Sequence, residues 1–488
     1  MFKEKLKEFE PIFYPKSIAV VGVSTNERKT GSQWVKALIS AGFPGPVYPV
    51  GSGGGTISGL KIFPNLRLVP GEVDYVVVSI PRQSVLELLD DCVAKKVKAV
   101  HFFTAGFSEM GKPEGQELED QMVRKARQSG FRIIGPNCLG IYCPERKIPC
   151  GPSPLGKIGT SGSVGFVSQS GGIAGKLAEL GIARYINYSK GVSFGNGIDL
   201  DASDFLQYLA ADPKTTVIGA YLEGARRGRY FFNTVREVAK IKPLVIWKGG
   251  RTEVGAQASM SHTGSLASSA TAWSAMLKQA GAIEVHSLEE LTDTLLIFQQ
   301  LGSWRGNHIA VIGGLADGGG GISVSASDAC TEAGLKLPPL SGKTREELSN
   351  LLGEVGSILY NPIDVSQAQR YGPSSLFKAI ELVSEDPNIE LVLLQEDMDI
   401  LTSLLLWEEV GRINDFFIDL RRRQNKPIVI VLPPGSAEPE RIDIEQRLLR
   451  ASIPVFPTME RAAKAIVTIN KYFGPRLTSS DNNLSSFK

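Results

Sequence analysis

The sequence predicts an α/β protein built from three successive units, each a parallel sheet covered by helices on both faces. Short Val/Ile-rich runs alternate with helix-period segments along the whole chain, as strands buried on both faces require. A length of 488 residues corresponds to about three domains at roughly 150 residues each. In such units ligands gather at the carboxyl ends of the strands.

The first unit, residues 1–152, has candidate strands at Ser17–Gly22, Val47–Val50, Tyr75–Ser79, Ala99–Phe103 and Arg132–Ile134. It ends in Pro149-Cys150-Gly151-Pro152-Ser153-Pro154, a stiff connector. The second, 153–302, starts at Ser163–Ser168 and continues near Val217–Tyr221 and Leu244–Trp247. The third, 303–472, starts at Ile309–Gly313 and continues at Leu391–Leu394, Ile428–Leu432 and Pro454–Phe456. Residues 473–488, Ser/Asn-rich from Thr478 onward, read as a disordered tail.

Charge narrows the partners. Lys plus Arg (53) nearly balances Asp plus Glu (51), so no strong field points to nucleic acid or an anionic membrane. Five cysteines without metal-site spacing read as reduced thiols. No signal-peptide pattern opens the chain, and no apolar run of the ~18 residues that span a bilayer is present. The expectation is a soluble cytoplasmic protein.

Chemistry concentrates at the predicted strand ends. After Ile18–Val21 the chain reads Gly22-Val23-Ser24-Thr25-Asn26-Glu27-Arg28-Lys29-Thr30-Gly31, a Rossmann-like phosphate loop before a helix. Glycine lets the backbone approach an anion, helix N–H groups donate to it, and Lys29 or Arg28 adds charge. The dinucleotide Gly-x-Gly-x-x-Gly spacing is absent, which argues against NAD. Ser79-Ile80-Pro81, Thr104-Ala105-Gly106 and Asn137-Cys138 should emerge on the same face, as an ordinary set of βα turns or as a nucleotide-shaped crevice.

In the second unit, Val164–Val167 delivers Ser168-Gln169-Ser170-Gly171-Gly172 to a helix start, a pattern suited to phosphate binding or to plain N-capping. A second glycine-rich turn, Phe194-Gly195-Asn196-Gly197, leads to Asp199 and Asp201 and could line the same pocket. Glu223 follows Val217–Tyr221 and should appear at the same edge. His262, within Ser261-His262-Thr263-Gly264-Ser265, reads as a titratable group in a polar loop; the competing reading makes Ser261 or Thr263 the cap of a helix through Leu266 and Leu277. Glu223 could accept a hydrogen bond from one ring nitrogen of His262 and leave the other nucleophilic. Ser341-Gly342-Lys343-Thr344 imitates a P-loop end, but Leu337 and Pro338 stand where the loop's first glycine would be needed, so capping is the better reading.

Taken together, Gly135-Pro136-Asn137-Cys138-Leu139-Gly140, Ser168-Gln169-Ser170-Gly171, Tyr221-Leu222-Glu223-Gly224, Lys248-Gly249-Gly250-Arg251-Thr252 and Ser261-His262-Thr263-Gly264-Ser265-Leu266-Ala267 resemble, in order and spacing, the alpha subunit of ADP-forming acyl-CoA synthetases, relatives of succinyl-CoA synthetase. The resemblance implies a Rossmann-like CoA-binding domain followed by two flavodoxin-like domains. It implies that coenzyme A contacts Gly22, Ser24, Thr25, Lys29, Gly31, Val50, Ser79, Ile80, Pro81, Thr104, Ala105, Gly106, Asn137 and Cys138. Ser168, Gln169, Ser170, Gly171, Gly172 and Gly264 would hold the phosphoryl group, and His262 would carry it with Glu223 orienting the ring. No protein-bound metal is implied on this chain. ADP or ATP with Mg would sit on a separate ATP-grasp beta subunit, in an α2β2 assembly acting on an acyl-CoA or a carboxylic acid.

Two stretches depart from the family pattern. Pro49-Val50-Gly51-Ser52 replaces an Asn-Pro after the second strand, and Gly313-Gly314-Leu315-Ala316-Asp317-Gly318-Gly319 replaces an Asn-Ala-Gly-Gly-Pro-Gly turn. The alternatives are a non-catalytic CoA-binding regulatory or scaffolding subunit and an NAD-dependent oxidoreductase. The retained pair His262 and Glu223 argues against the first, and the missing fingerprint against the second.

Overall fold

A computed structural model describes residues 2–153, 158–263, 269–313, 320–352, 358–365, 373–404 and 407–477. Two compact units divide the chain at Leu295 and Leu296. The first contains two large sheets and a small hairpin, the second one sheet.

In the first sheet, Val47–Val50, Ile18–Val21, Tyr75–Val78, Ala99–Phe102 and Arg132–Ile134 lie side by side in that order, all parallel. Ile18–Val21, Tyr75–Val78 and Ala99–Phe102 are buried along their whole length, which is why they read as continuous apolar runs. The strand order reverses between Ile18–Val21 and Tyr75–Val78, and Val21 pairs with Val78. Gly22 and Ser79 therefore leave the sheet together at a switch point, where open α/β sheets form their crevice.

The second sheet runs Ile283–Val285, Leu244–Lys248, Val217–Leu222, Val164–Ser168, Tyr188–Ser193 and Gly140–Tyr142, with the last strand antiparallel. Its order reverses between Val164–Ser168 and Val217–Leu222, where Ser168 pairs with Tyr221. Gln169 and Glu223 thus emerge at one edge. Gly140–Tyr142 lies inside the span expected for the first unit yet completes this second sheet. The N-terminal helix Lys3–Phe13 joins the unit together: Phe9 and Phe13 stack on Tyr208 of the helix Ala202–Ala211, with ring centroids 5.0 and 4.8 Å apart. Burying each ring stabilises by about 1.5–3 kcal/mol.

Tyr188–Ser193 reads Tyr-Ser-Lys-Gly-Val-Ser and was absent from the expected strands, as were Gly140–Tyr142 and Ile283–Val285. Lys190 is fully buried there, bound to Asp212 Oδ2 at 2.7 Å. Gly191 leaves room for the Phe166 ring, since a Cβ would lie 2.1 Å from it.

In the second unit, Ile358–Leu359, Ile363–Asp364, Ile309–Gly313, Leu391–Gln395, Ile428–Val431 and Val455–Phe456 form one sheet, antiparallel only at Ile358–Leu359. The pair Ile358–Leu359 and Ile363–Asp364 was not predicted. Ser341 caps the helix Gly342–Leu352, its Oγ accepting the Thr344 N–H at 3.3 Å, in keeping with the capping reading. The last helix, Met459–Leu477, corrects the expected end at Tyr472: residues 473–477 are helical, because an amphipathic pattern with buried Ile466, Ile469 and Tyr472 carries through. Residues 478–488, and 314–319 with Asp317, lie outside the described residues. Among the described residues no helix is long and apolar enough to cross a membrane.

Candidate ligand-binding site

The loop after Ile18–Val21 is built around close backbone approach. Gly22 adopts φ +101°, and a Cβ there would lie 2.1 Å from the Ser79 carbonyl oxygen. Gly31 brings the helix Thr30–Ala41 onto the same turn, where a Cβ would stand 2.4 Å from the Gly22 carbonyl. Only glycine fits either position. The Val50 carbonyl accepts the Gly22 and Val23 N–H groups, both at 3.0 Å, so Val50 shapes the loop from beneath. Ser24 is tied to Ser32, whose hydroxyl donates to the Ser24 carbonyl at 2.7 Å. Thr25 sits against Gly55, and Lys29 is exposed at the start of the helix.

The remaining strand ends are linked to one another. Thr104 Oγ1 donates to the Ile80 carbonyl at 2.8 Å, and the Thr104 carbonyl accepts the Asn137 N–H at 3.0 Å. Asn137 takes a left-handed φ of 59°, which asparagine tolerates better than most residues. Gly106 accepts from the Arg82 guanidinium and donates its N–H to Glu109 Oε1 at 2.6 Å. A cavity of about 620 Å³ opens over Ser79, Ile80, Pro81, Thr104, Ala105, Asn137 and Cys138. Burial pushes the Cys138 thiol up to about 12, so it shapes the wall as a neutral group and is no nucleophile.

The same cavity reaches the second sheet, where Gln169, Ser170, Gly171, Gly172, Gly175 and Lys176 also line it. Here the helix Gly171–Ala183 begins, with Ser170 as N-cap accepting the Ile173 N–H at 3.5 Å. Capping and anion binding coexist, because one cap satisfies one of the four unpaired first-turn donors. The fully buried Ser168 hydroxyl donates to the Ser170 carbonyl at 2.7 Å, so it fixes the turn from behind.

Gln169 and Glu223 form one clamp. Gln169 Oε1 accepts the Glu223 N–H at 2.8 Å and the Gly224 N–H at 3.1 Å, and the Gln169 N–H donates to the Tyr221 carbonyl at 2.9 Å. Tyr221 OH donates to Glu223 Oε1 at 3.2 Å. Glu223 is buried, only 6 % exposed. Lys248, not singled out for a role from sequence, is buried nearby; burial pulls its ammonium below the usual lysine range and the Glu223 charge opposes that shift. Its Nζ donates to the Gly249 carbonyl and lies 5.4 Å from the Trp273 ring.

A second cavity, of about 530 Å³, shares Gln169 with the first as a lining residue. The glycine-rich turn divides between them: Gly195 faces the first, Asn196 and Gly197 the second. Asn196 Nδ2 donates to Glu109 Oε2 at 2.7 Å and Glu119 Oε1 at 2.8 Å. Sequence reasoning missed this cluster, since its members lie some eighty positions apart and belong to no motif. Asp201 and Asp199 are structural: Asp201 caps the helix Ala202–Ala211 in a capping box, and Asp199 pairs with Arg132.

The structure thus gathers Ser79, Ile80, Pro81, Thr104, Ala105, Asn137, Cys138, Gln169, Ser170, Gly171 and Gly172 around one cavity. Gly22 adjoins it through Ser79 and Ile80, whereas Ser24, Thr25, Lys29, Gly31, Val50, Gly106, Ser168 and Glu223 are not among its lining residues. The backbone of His262 lies in the last turn of the helix Glu253–Thr263, which corrects the expected loop. Its side chain, like Gly264 and Leu266, lies outside what is described. The following helix starts at Ala270, and its cap is Ser269, whose Oγ accepts the Ala272 N–H at 3.4 Å, in place of Ser261 or Thr263.

Comparison with known proteins agrees with this geometry. Residues 16–144 match a family model described as a CoA binding domain, and residues 161–298 one described as a succinyl-CoA ligase like flavodoxin domain. The chain is 34% identical over 470 residues to "Acetate--CoA ligase [ADP-forming] I subunit alpha" of Pyrococcus furiosus, covering 95% of this chain and 97% of that one. It is also 34% identical over 467 residues to "Acetate--CoA ligase [ADP-forming] I" of Archaeoglobus fulgidus, of which it spans 63% of the length. Among solved structures it is similar to the dinucleotide-forming acetyl-coenzyme A synthetase 1 of Ca. Korarchaeum cryptofilum in complex with phosphate and ADP. The TM-score is 0.80 at 30% identity, over 96% of this chain and 99% of that one.

Proposed function

We propose that this chain, which belongs to the ADP-forming acetate–CoA ligase family, is the alpha subunit of an acid–CoA ligase that interconverts acyl-CoA, phosphate and ADP with carboxylic acid, CoA and ATP. One observation carries the reading: the carboxyl ends of two parallel sheets open on a single cavity, with the CoA-type strand ends on one side and a helix N-terminus on the other. The tight turn at Gly22 and the helix behind it give a backbone path for a pyrophosphate, and Ser79–Pro81, Thr104, Ala105 and Asn137 frame the rest of a CoA. Bound there, CoA supplies the thiol for the acyl exchange.

The start of the helix Gly171–Ala183 presents oriented N–H groups and a partial positive charge, fixed before reaction by the Ser168 and Ser170 hydroxyls. A transferring phosphoryl group is charged on its oxygens throughout, so preorganised donors stabilise it without rearrangement. His262 is the residue assigned to accept that group, and Glu223 the carboxylate that orients its ring. The clamp of Gln169 and Tyr221 on Glu223 supports the second role.

ADP or ATP with Mg is assigned to a separate ATP-grasp beta subunit, in an α2β2 assembly located in the cytoplasm. Relatives named as alpha subunits support a partner. Residues 1–152, 153–302 and 303–472, the last extended to Leu477 by its final helix, are proposed as the functional domains. The test is calorimetric titration with CoA and with NAD, followed by ATP formation from acetyl-CoA, phosphate and ADP in the presence of an ATP-grasp subunit. CoA binding without NAD binding, and ATP formed only with both subunits, is the expected outcome. NAD binding, or absence of CoA binding, overturns the reading.

A further inference from the structure

Gln169 lines both cavities and is 8 % exposed. Its amide orientation is fixed by chemistry. Oε1 accepts the N–H groups of Glu223 and Gly224 at 2.8 and 3.1 Å, where an NH2 group would meet only other donors. Nε2 is therefore turned away from the clamp. It has no hydrogen-bond partner among the described residues, yet it is not one of the polar atoms sealed from solvent. Its hydrogens are thus held in place and open to a ligand. A donor this enclosed is costly to leave unpaired, so native proteins seldom keep one unless something else satisfies it.

The neighbouring residues say which ligand atom that is, once the ligase reading is accepted. Gln169 directly precedes Ser170, the N-cap of the helix Gly171–Ala183, so it stands beside the helix start assigned to the phosphoryl group. The first-turn N–H groups already supply donors for phosphate there. The other reactant, the thioester carbonyl of an acyl-CoA, must come to about 3–3.5 Å from that phosphate for reaction. Its oxygen gains negative charge only as the new bond forms, and a donor fixed beforehand stabilises that charge without rearranging. A neutral amide clamped to two backbone N–H groups is such a donor.

We infer that Gln169 is a catalytic residue of the acyl-transfer step, its Nε2–H donating to the thioester carbonyl oxygen and not to the phosphoryl group. An oxygen of hydrogen phosphate forms a bond to the carbonyl carbon, and the π pair moves onto the carbonyl oxygen, where the amide receives the charge. The pair then returns and the C–S bond breaks with its electrons going to sulfur. The proton brought by hydrogen phosphate ends on that sulfur, leaving acyl phosphate and CoA. Phosphoryl transfer from ATP to His262 contains no acyl group and makes no use of this bond.

Gln169→Glu tests this in the full chain, because it keeps an acceptor oxygen for the Glu223 and Gly224 N–H groups and removes the donor. Labelling of His262 is timed by two routes: from radiolabelled phosphate with acetyl-CoA, and from γ-labelled ATP with an ATP-grasp subunit. The ratio of the first rate to the second falls about a hundredfold or more in the variant, the loss typical of one oxyanion donor. A ratio unchanged within about threefold overturns the inference, whether both rates hold or both fall. Wild type alone gives a second reading that does not depend on the variant folding. The infrared carbonyl stretch of acetyl-CoA, isotope-labelled at that carbon, moves to lower frequency on binding; a stretch that stays where it is in free acetyl-CoA overturns the inference alone. Wild type that binds no acetyl-CoA, or takes no label by either route, overturns the ligase reading and the inference with it.

Discussion

Replacing Gln169 by leucine removes one acceptor and strands two buried donors, the N–H groups of Glu223 and Gly224, now held at 2.8 and 3.1 Å. Leaving a buried donor unsatisfied costs about 1–3 kcal/mol. If that cost falls on the local opening of the segment that carries Glu223, amide exchange there accelerates by roughly 5- to 150-fold, at 1.4 kcal/mol per factor of ten. The expected loss is local, so it is read best at the segment where it arises and not from the unfolding of the whole chain. Hydrogen exchange followed by mass spectrometry on the peptide spanning Val217–Gly224 reads the effect where it arises. Strand amides of Val217–Tyr221 serve as the internal control, and Gln169→Glu, which keeps an acceptor oxygen in place, loses much less protection. Exchange at Glu223 and Gly224 unchanged within twofold in Gln169→Leu refutes the clamp.

Three further outcomes follow from the same structure. Gly22→Ala forces a Cβ to 2.1 Å from the Ser79 oxygen at φ +101°; CoA affinity by calorimetry falls at least about tenfold, the equivalent of 1.4 kcal/mol. Burial holds the His101 imidazole down at about 4, against about 6.5 in the unfolded chain, so its contribution to stability is complete above pH ~6.5 and is lost as pH falls toward 4. The loss is on the order of 3 kcal/mol, and a thermal midpoint measured from pH 7 to pH 4.5 falls more steeply in wild type than in His101→Gln. Asp212→Ala leaves the fully buried Lys190 without its carboxylate and costs about 3–5 kcal/mol in thermal unfolding, whereas Lys190→Met with Asp212→Leu recovers most of that loss.

What could be read from the sequence depended on whether burial was expressed as apolar residues. Ile18–Val21 and Tyr75–Val78 are buried on both faces and announce themselves as Val/Ile runs, so their carboxyl ends, and with them most of the cavity lining, were legible. Tyr188–Ser193 is equally buried but hides a lysine behind an ion pair and a glycine behind a phenylalanine ring, which no pattern of hydrophobicity reports. Gly140–Tyr142 is only three residues long and joins a sheet whose other strands come later in the chain. The Asn196, Glu109 and Glu119 cluster exists only through the tertiary approach of the turn after Tyr188–Ser193 to the segment after Ala99–Phe102. Ser168 and Val50 were legible as site residues by position, but the structure shows them shaping their loops from beneath.

The most direct test of the central claim is phosphoryl labelling of the full chain. Wild type and His262→Ala are incubated with radiolabelled phosphate and acyl-CoA, with and without an ATP-grasp subunit, and examined for an acid-labile, base-stable label. The account predicts label on wild type only, discharged on adding ADP together with the ATP-grasp subunit. Label that persists in His262→Ala, or no label from any acyl-CoA in a protein that binds CoA, contradicts it.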